Sequence, residues 1–345
     1  MRLDTRSHPS LAPAPACDLR RARVSGRRPD YYDGLQVSAM TALVTGGTGL
    51  LGRKLLEELP DAAVLTRDPE RARPSLGSVA LHRWEPEAGP VPAEALHGVD
   101  VVFNLAGDPV AQGRWTSEKK RRIRDSRVVG TRNLVAALAS SEQQPEVLVS
   151  ASAVGFYGDQ GAQECHEASP QGSGFLAEVC ADWEREARAA EELGIRVVCA
   201  RIGIVLARHG GALGRMLTPF KLGLGGRLAN GTQWMPWIHV DDVVGLLVHA
   251  ARSTSVRGAL NVVAPEPVTN ADFTRVLARV LRRPAILPVP KTALRLAFGE
   301  MSELLTASQR VVPLAAQRTG YEFRHAELGA ALEALLSASS HEVVT

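Results

Sequence analysis

The stretch TALVTGGTGLLGRKLLEEL, residues 41–59, limits what this chain can fold into more than any other. A short apolar strand, Thr41–Thr45, runs into Gly46, Gly47, Gly49 and Gly52, and the amphipathic run Leu50–Leu59 follows as a helix. Two glycine spacings are satisfied together, GxxGxxG from Gly46 and GxGxxG from Gly47. Glycines here permit a tight turn and a close approach of backbone to a pyrophosphate, and the helix start offers free N–H groups and a partial positive charge. A glycine pattern alone is a weak signal. Between a strand and a helix, at the head of an alternating series, it reads as a dinucleotide cradle made by Gly46, Gly47, Thr48, Gly49, Leu50, Leu51 and Gly52.

The alternation continues. Strands are predicted at Ala62–Thr66, Val79–Arg83, Val99–Leu105, Glu146–Ser150 and Ile195–Ala200, with helices from about Thr116 to Leu138 and near Phe175–Leu193. Apolar strands separated by helices belong to a parallel sheet covered on both faces. The expected fold class is α/β, a Rossmann-type doubly wound parallel sheet. After about residue 266 the rhythm gives way to helical segments, which predicts a small, mostly helical C-terminal cap. The expected domains are an extension over 1–39, a nucleotide-binding domain over 40–265, and a small domain over 266–338 that completes a substrate cleft.

With 45% hydrophobic and 22% charged residues among 345, the chain has the composition of a soluble globular protein. No apolar run approaches the roughly 18 residues needed to cross a bilayer, so no membrane partner is expected. The net charge of +3 has a single location. Residues 1–39 hold seven arginines and four aspartates, which leaves the remainder neutral and without the basic footprint of a nucleic-acid-binding body. That extension is rich in Pro, Arg, Ser and Ala with no apolar period, which predicts disorder and makes Met40 the expected start. The four cysteines lack a CxxC and read as reduced thiols of a cytoplasmic protein. Cys165 and His166, flanked by Glu164 and Glu167, cannot all converge on one ion, so the segment reads as a polar loop and no metal is expected.

The second strand bears on which dinucleotide is bound. An NAD site commonly places an acid at the end of this strand to hold the ribose hydroxyls. Here Val64-Leu65-Thr66 is followed by Arg67, which suits a 2′-phosphate and points to NADP. Asp68, one residue on, leaves NAD open.

With these residues placed, the chain resembles an extended short-chain dehydrogenase/reductase. It is most similar to the atypical epimerase family proteins, NAD-dependent epimerase/dehydratase-like chains that end in a domain of unknown function. The resemblance is carried by TGGTGLLG, VVFNLAGDPV, RWTSEKKRRIRDSR, SASAVGFYGD, RIGIVLARHGGALGRMLTPFKLGLGG, WMPWIHVDDV, NVVAPEPVTNADF and LRRPAILPVPKTALRLAFGEMSELL. It implies that Asn104, Leu105, Ala106 and Gly107 pass beside the cofactor ribose. It also implies that Arg127, standing where an asparagine is usual, and Arg201 line the cofactor cleft. Ser152 matches the residue that polarises a substrate carbonyl or hydroxyl, and a strand-end serine satisfied by backbone is the equal alternative. His239 and Asp241 match positions beside the cleft, although Asp241 as a helix N-cap with a structural His239 is favoured. Trp234 and Trp237 read as core more readily than as substrate contacts, and Lys119–Arg124 as a solvated helix face. A homodimer follows from the resemblance alone.

The family's usual acid/base is a tyrosine with a lysine four residues later, one helical turn away. Four residues beyond Tyr31, Tyr32, Tyr157 and Tyr321 stand Leu35, Gln36, Gly161 and His325. Phe175 and Val179 occupy the expected Tyr and Lys positions. Tyr157 remains as a substitute, provided another group lowers its pKa from about 10. The expected function is therefore an NADP-dependent oxidoreductase or epimerase-like enzyme acting on an unidentified small molecule through Ser152 and Tyr157. The alternative is a non-catalytic NADP-binding sensor or scaffold. The loop GLGGRLANG, Gly223–Gly231, suits packing against a ligand, with a plain connection as the alternative.

Overall fold

Seven parallel strands form the centre of the computed structural model, which describes residues 40–337. The expectations for residues 1–39 fall outside the described residues. The strands are β1 (Ala42–Thr45), β2 (Ala63–Thr66), β3 (Ala80–Arg83), β4 (Val101–Asn104), β5 (Val147–Ala153), β6 (Arg196–Ile202) and β7 (Gly258–Val262). Their spatial order is β7-β6-β5-β4-β1-β2-β3. The chain winds outward from β1 to β3, crosses back to β4, and winds outward the other way. Between the C-terminal ends of β1 and β4 this reversal opens a crevice, the usual ligand position in such a sheet.

Burial explains the unbroken apolar strands, since all four residues of β1 and of β4 are inaccessible. On one face Leu55 of α1 (Leu50–Leu56) packs with Val243, Leu246 and Leu247 of α6 (Val240–Arg252). On the other, Leu134 and Leu138 of α3 (Ser117–Ala139) pack with Trp84, Leu96 and Ala187. Among the elements that go beyond the sequence expectations are a helix and a strand of the sheet. Helix α2 (Pro69–Leu76) starts where Asp68 accepts the Arg71 N–H, with Pro69 pre-set for the first turn. Strand β7 pairs in parallel with β6 and closes that edge.

A third core builds the cap. Leu213 and Leu217 of α5 (Gly211–Lys221), Phe273 and Leu277 of α7 (Asn270–Leu281), and Leu332 of the helix Leu328–Ser337 surround Trp237. Trp237 is a core residue, its indole N–H donating to the Glu266 carbonyl.

The C-terminal segment is fastened to α6 by one buried carboxylate. Asp242 accepts the N–H groups of Arg324 and His325 and the Tyr321 hydroxyl. Beside it the rings of His239 and His325 stack with centroids 3.6 Å apart. The helix cap expected from Asp241 is supplied by His239, whose Nδ1 accepts the Asp241 N–H. Burial, then the His325 ring, hold the His239 pKa down at about 4; the nearby Asp241 carboxylate opposes them, and Lys54 and Arg324 add to them. Between pH 6.5 and 4 the unfolded chain takes up a proton at this position that the folded chain refuses, so acidification favours unfolding. From pH 6.5 to 4.5 the protein is expected to lose about 2 kcal/mol more stability than its His239→Asn variant. Urea denaturation at the two pH values measures this, and equal losses would remove the His239 contribution.

Candidate functional site

The glycine turn closes the crevice by backbone contact. Gly46 has φ of 72°, a left-handed conformation that favours glycine, and an added Cβ would lie 2.8 Å from the Leu105 carbonyl carbon. At Gly52 a Cβ would lie 2.3 Å from the Gly46 carbonyl oxygen, so helix α1 can leave the turn only at a glycine. Gly49 caps α1 with no side chain to occupy the helix N-terminus, leaving the first N–H groups to a ligand. Thr48 and Gly49 are exposed. This is a cradle that fits a dinucleotide pyrophosphate.

The opposite wall is fixed by a buried polar net. Thr45 donates its hydroxyl to Asn104 Oδ1 (2.9 Å), and its oxygen accepts the N–H groups of Leu105 and Ala106, both at 3.0 Å. The Asn104 amide donates to Thr131 (2.8 Å) and Ser150 (3.2 Å). Asn104, expected to face the cofactor, spends its side chain inward, tying β1, β4, β5 and α3 together. The backbone of Leu105–Gly107 is what borders the crevice. Arg127 is half-buried with its guanidinium against Gly107, where a Cβ would come 2.8 Å from Cζ. It donates to the carbonyls of Asp108 and Ile123, each at 3.0 Å, and burial lowers its pKa. Arg67 stands exposed just past β2, and the carboxylate of neighbouring Asp68 is engaged as the cap of α2.

At the ends of β5 and β6 lies a second net. Ser152 donates to Glu184 Oε1 (2.8 Å) from α4 (Phe175–Arg188). Arg201 grips both oxygens of Glu184, at 2.8 and 2.9 Å, and donates to the Tyr157 oxygen at 3.0 Å. Burial works against the Arg201 charge, but the Glu184 carboxylate outweighs it and the pKa rises. Tyr157 is fully buried, with its hydroxyl 2.7 Å from Asn261 Oδ1. Burial pushes this phenol up to about 12, even with Arg201 and Asn261 pulling it down. Tyr157, expected as a substitute acid/base if another group lowered its pKa, instead has that pKa raised by burial and its hydroxyl donating to Asn261. Arg201, expected near the cofactor, is likewise enclosed with Glu184, with the Phe156 ring 3.5 Å from its Cζ.

Helix α4 also differs from expectation. Phe175 and Val179 join Trp115, Ile123 and Met301 in an apolar cluster, with Phe175 edge-on to Trp115 at 5.3 Å. One residue on, Leu176, Cys180 and Glu184 recur every four residues along the face toward β5. Leu176 and Cys180 lie against Gly155. Burial, then the Glu184 charge, raise the Cys180 thiol to about 11. Lys119, read as solvated, is buried and paired with Asp108 in the loop after β4. The sequence reading missed Glu184, Asn261 and the Lys119–Asp108 pair. The one available signal was Glu184, a charge on an otherwise apolar face of α4.

Beside the Tyr157 loop a concavity of about 620 Å³, of mixed polar and apolar lining, is bordered by Asp159, Gln233, Trp234, Lys291 and Ser308 among others. Trp234, half-exposed, also lies 5.0 Å from the Arg310 guanidinium. His239, Asp241 and His325 bring potential ligand atoms within 4.8 Å of one another. The Lys54 ammonium sits 3.6 Å from Asp241, which weighs against a cation there.

Residues 42–263 match the model of the NAD dependent epimerase/dehydratase family, and residues 289–335 match a domain of unknown function, DUF1731. An epimerase family protein of Mycobacterium bovis, Mb2239, is 42% identical over 290 residues, covering 84% of this chain and 95% of the relative. The Arabidopsis thaliana protein named epimerase family protein SDR39U1 homolog, chloroplastic, is 38% identical and covers 87% of each chain. Among solved structures, human epimerase family protein SDR39U1 (isoform 2) with NADPH superposes with a TM-score of 0.78 at 34% identity, covering 86% of this chain and 99% of that one. UDP-glucuronic acid 4-epimerase from Bacillus cereus, 16% identical with a TM-score of 0.68, shares the fold.

Replacing Tyr157 by Phe removes the hydroxyl that satisfies Asn261 and Arg201. We expect a loss of about 1–2 kcal/mol in urea denaturation, with dinucleotide affinity unchanged. A Tyr157 engaged in proton transfer would give the reverse pattern, intact stability and abolished turnover.

Proposed function

The chain belongs to the NAD dependent epimerase/dehydratase family, and from that premise we propose that it binds NADP(H) and acts as an oxidoreductase or epimerase-like enzyme on a polar small molecule. One observation carries the choice of cofactor. Arg67 follows β2 with its side chain exposed, while the competing acid, Asp68, is spent as a helix cap. The NADPH of the human relative supports the same reading.

In this proposal the backbone of residues 46–52 holds the pyrophosphate, Arg67 the 2′-phosphate, and the backbone of Leu105–Gly107 borders the ribose. The bound nicotinamide would supply hydride chemistry; the chain's own residues aim it. Ser152 gives its proton to Glu184 and so presents lone pairs, which orient a substrate hydroxyl. Tyr157 acts as a positioning residue that holds Arg201 and the loop after β5. The substrate extends into the concavity between that loop and the segments 229–234 and 290–308, the latter from the C-terminal domain over 266–338. This setting suits a cytoplasmic protein or one in an organelle interior.

A second reading, NADP binding without turnover, is favoured by one observation. The polar groups at the end of β5 are engaged within the protein, Ser152 and Arg201 by Glu184 and Tyr157 by Arg201 and Asn261.

Titration of the protein with NADPH and NADH, followed by cofactor fluorescence, tests the shared premise. NADPH should bind at least tenfold more tightly. Arg67→Ala should cost NADPH about tenfold, roughly 1.4 kcal/mol, and leave NADH unchanged. Equal affinities for the two cofactors in the parent protein would sink the assignment. NADPH oxidation in the presence of carbonyl compounds then separates enzyme from sensor.

A further inference from the structure

A groove of about 930 Å³ opens between α7, the segment 282–288 and the loop that carries Arg227. Five arginines line it: Arg227, Arg275, Arg279, Arg282 and Arg283. Arg275 and Arg279 lie one turn apart on α7, and Arg282 and Arg283 follow its end. Arg282 caps the helix at φ 53°, an uncommon conformation for a residue with a side chain. Arg227 comes from a different part of the chain and is held by backbone pairing. The Val289 N–H donates to the Arg227 carbonyl (2.9 Å), and the Ala229 N–H donates to the Val289 carbonyl (2.8 Å). A Cβ at Gly226 would lie 1.6 Å from the Leu287 carbonyl oxygen, so these two segments meet at contact distance.

The charge is poorly balanced. Asp272 pairs with Arg275 and accepts from Thr269 as well. Among the described residues, Arg227, Arg279, Arg282 and Arg283 have no carboxylate partner. Cations near a helix C-terminus are favourable, which accounts for those at the end of α7. It does not account for Arg227, nor for the convergence of both segments on one concavity. Clustered like charges repel, and an anion relieves them. The rim adds a second character. Ile286, which lines the groove, is 79% exposed, and Leu222, Leu224 and Leu287 in the adjoining segments are 69, 58 and 49% exposed.

We propose that this groove binds a phosphorylated ligand with an apolar portion, at a site separate from the dinucleotide cradle. Guanidinium forks match phosphate oxygens in pairs, and the volume suits a small molecule or a headgroup. Helix α5 separates the two sites. Gly210, just before its start, lies near Leu50, where an added Cβ would be 3.9 Å from Cδ1, while its last residue, Lys221, leads into the groove rim. With 11 residues the helix spans about 16 Å.

The test titrates the full chain with inorganic pyrophosphate by calorimetry, with and without saturating NADPH. Micromolar binding that survives NADPH is expected. It should weaken at least about tenfold in Arg279→Gln/Arg283→Gln, whose side chains are exposed and whose urea midpoint should match the parent. In parallel, the chain is sedimented with phosphatidylcholine vesicles with and without phosphatidylglycerol. Pyrophosphate binding without vesicle binding identifies a soluble phosphorylated ligand. Binding only to the phosphatidylglycerol vesicles, lost in the arginine variant and in Ile286→Ser/Leu287→Ser, identifies a lipid headgroup. A pyrophosphate signal that NADPH abolishes and the arginine variant leaves intact belongs to the cradle and overturns the proposal. Binding in neither arm also overturns it.

Discussion

A carboxylate and a guanidinium buried together at the ends of β5 and β6 organise the functional end of this protein. Glu184 and Arg201 are 4% and 3% exposed, so each would carry a large desolvation cost alone. Together they are satisfied by three protein hydrogen bonds to the carboxylate, two from Arg201 and one from Ser152. Arg201 then reaches Tyr157 and the Glu167 carbonyl, and Tyr157 reaches Asn261 on β7. One ion pair thereby connects α4, β5, β6, β7 and the loop after β5. Removing one partner of such a pair typically costs about 3–5 kcal/mol, because the other charge is left unpaired in the interior. The same carboxylate commits the Ser152 hydroxyl as a donor.

The C-terminal segment extends this organisation. Glu167 accepts the N–H groups of Asn261 (3.2 Å) and Ala315 (3.0 Å), and Asn261 donates to the Val312 carbonyl (2.9 Å). Gln309 donates to the carbonyls of Val154 and Gly158, and Val311 pairs in parallel register with Cys165. Residues 308–315 are thus stitched along the loop that follows β5. The segment works as a clamp on that loop.

Most of the sheet was legible in the sequence, because strand runs and a glycine turn are local patterns. The partners of the site were not, because burial joins residues far apart in the chain. Glu184 meets Ser152 across 32 positions and Arg201 across 17. Nothing in the local pattern around Lys119 showed that Asp108 would bury it. On α4, Phe175 and Val179 join the cluster around Trp115, while Cys180, about 100° round the helix from Val179, lies against Gly155 after β5, a difference of face that the sequence pattern does not show. The surroundings of Tyr157 were hidden for the same long-range reason. Its neighbours in sequence, Asp159 and Glu164, suggested nothing about Asn261, 104 positions away.

The cap of α2 constrains how this protein's cofactor choice can change over evolutionary time. Asp68 is the nearest acid to the end of β2, the natural raw material for a site that holds ribose hydroxyls. Its carboxylate is already the first hydrogen-bonding partner of α2 through the Arg71 N–H. Turning it toward a ribose would unfasten the start of that helix, so the two tasks compete for one side chain. If Arg67 holds the 2′-phosphate as proposed, a drift from NADP to NAD is channelled through position 67, where an exposed side chain can change without disturbing the fold.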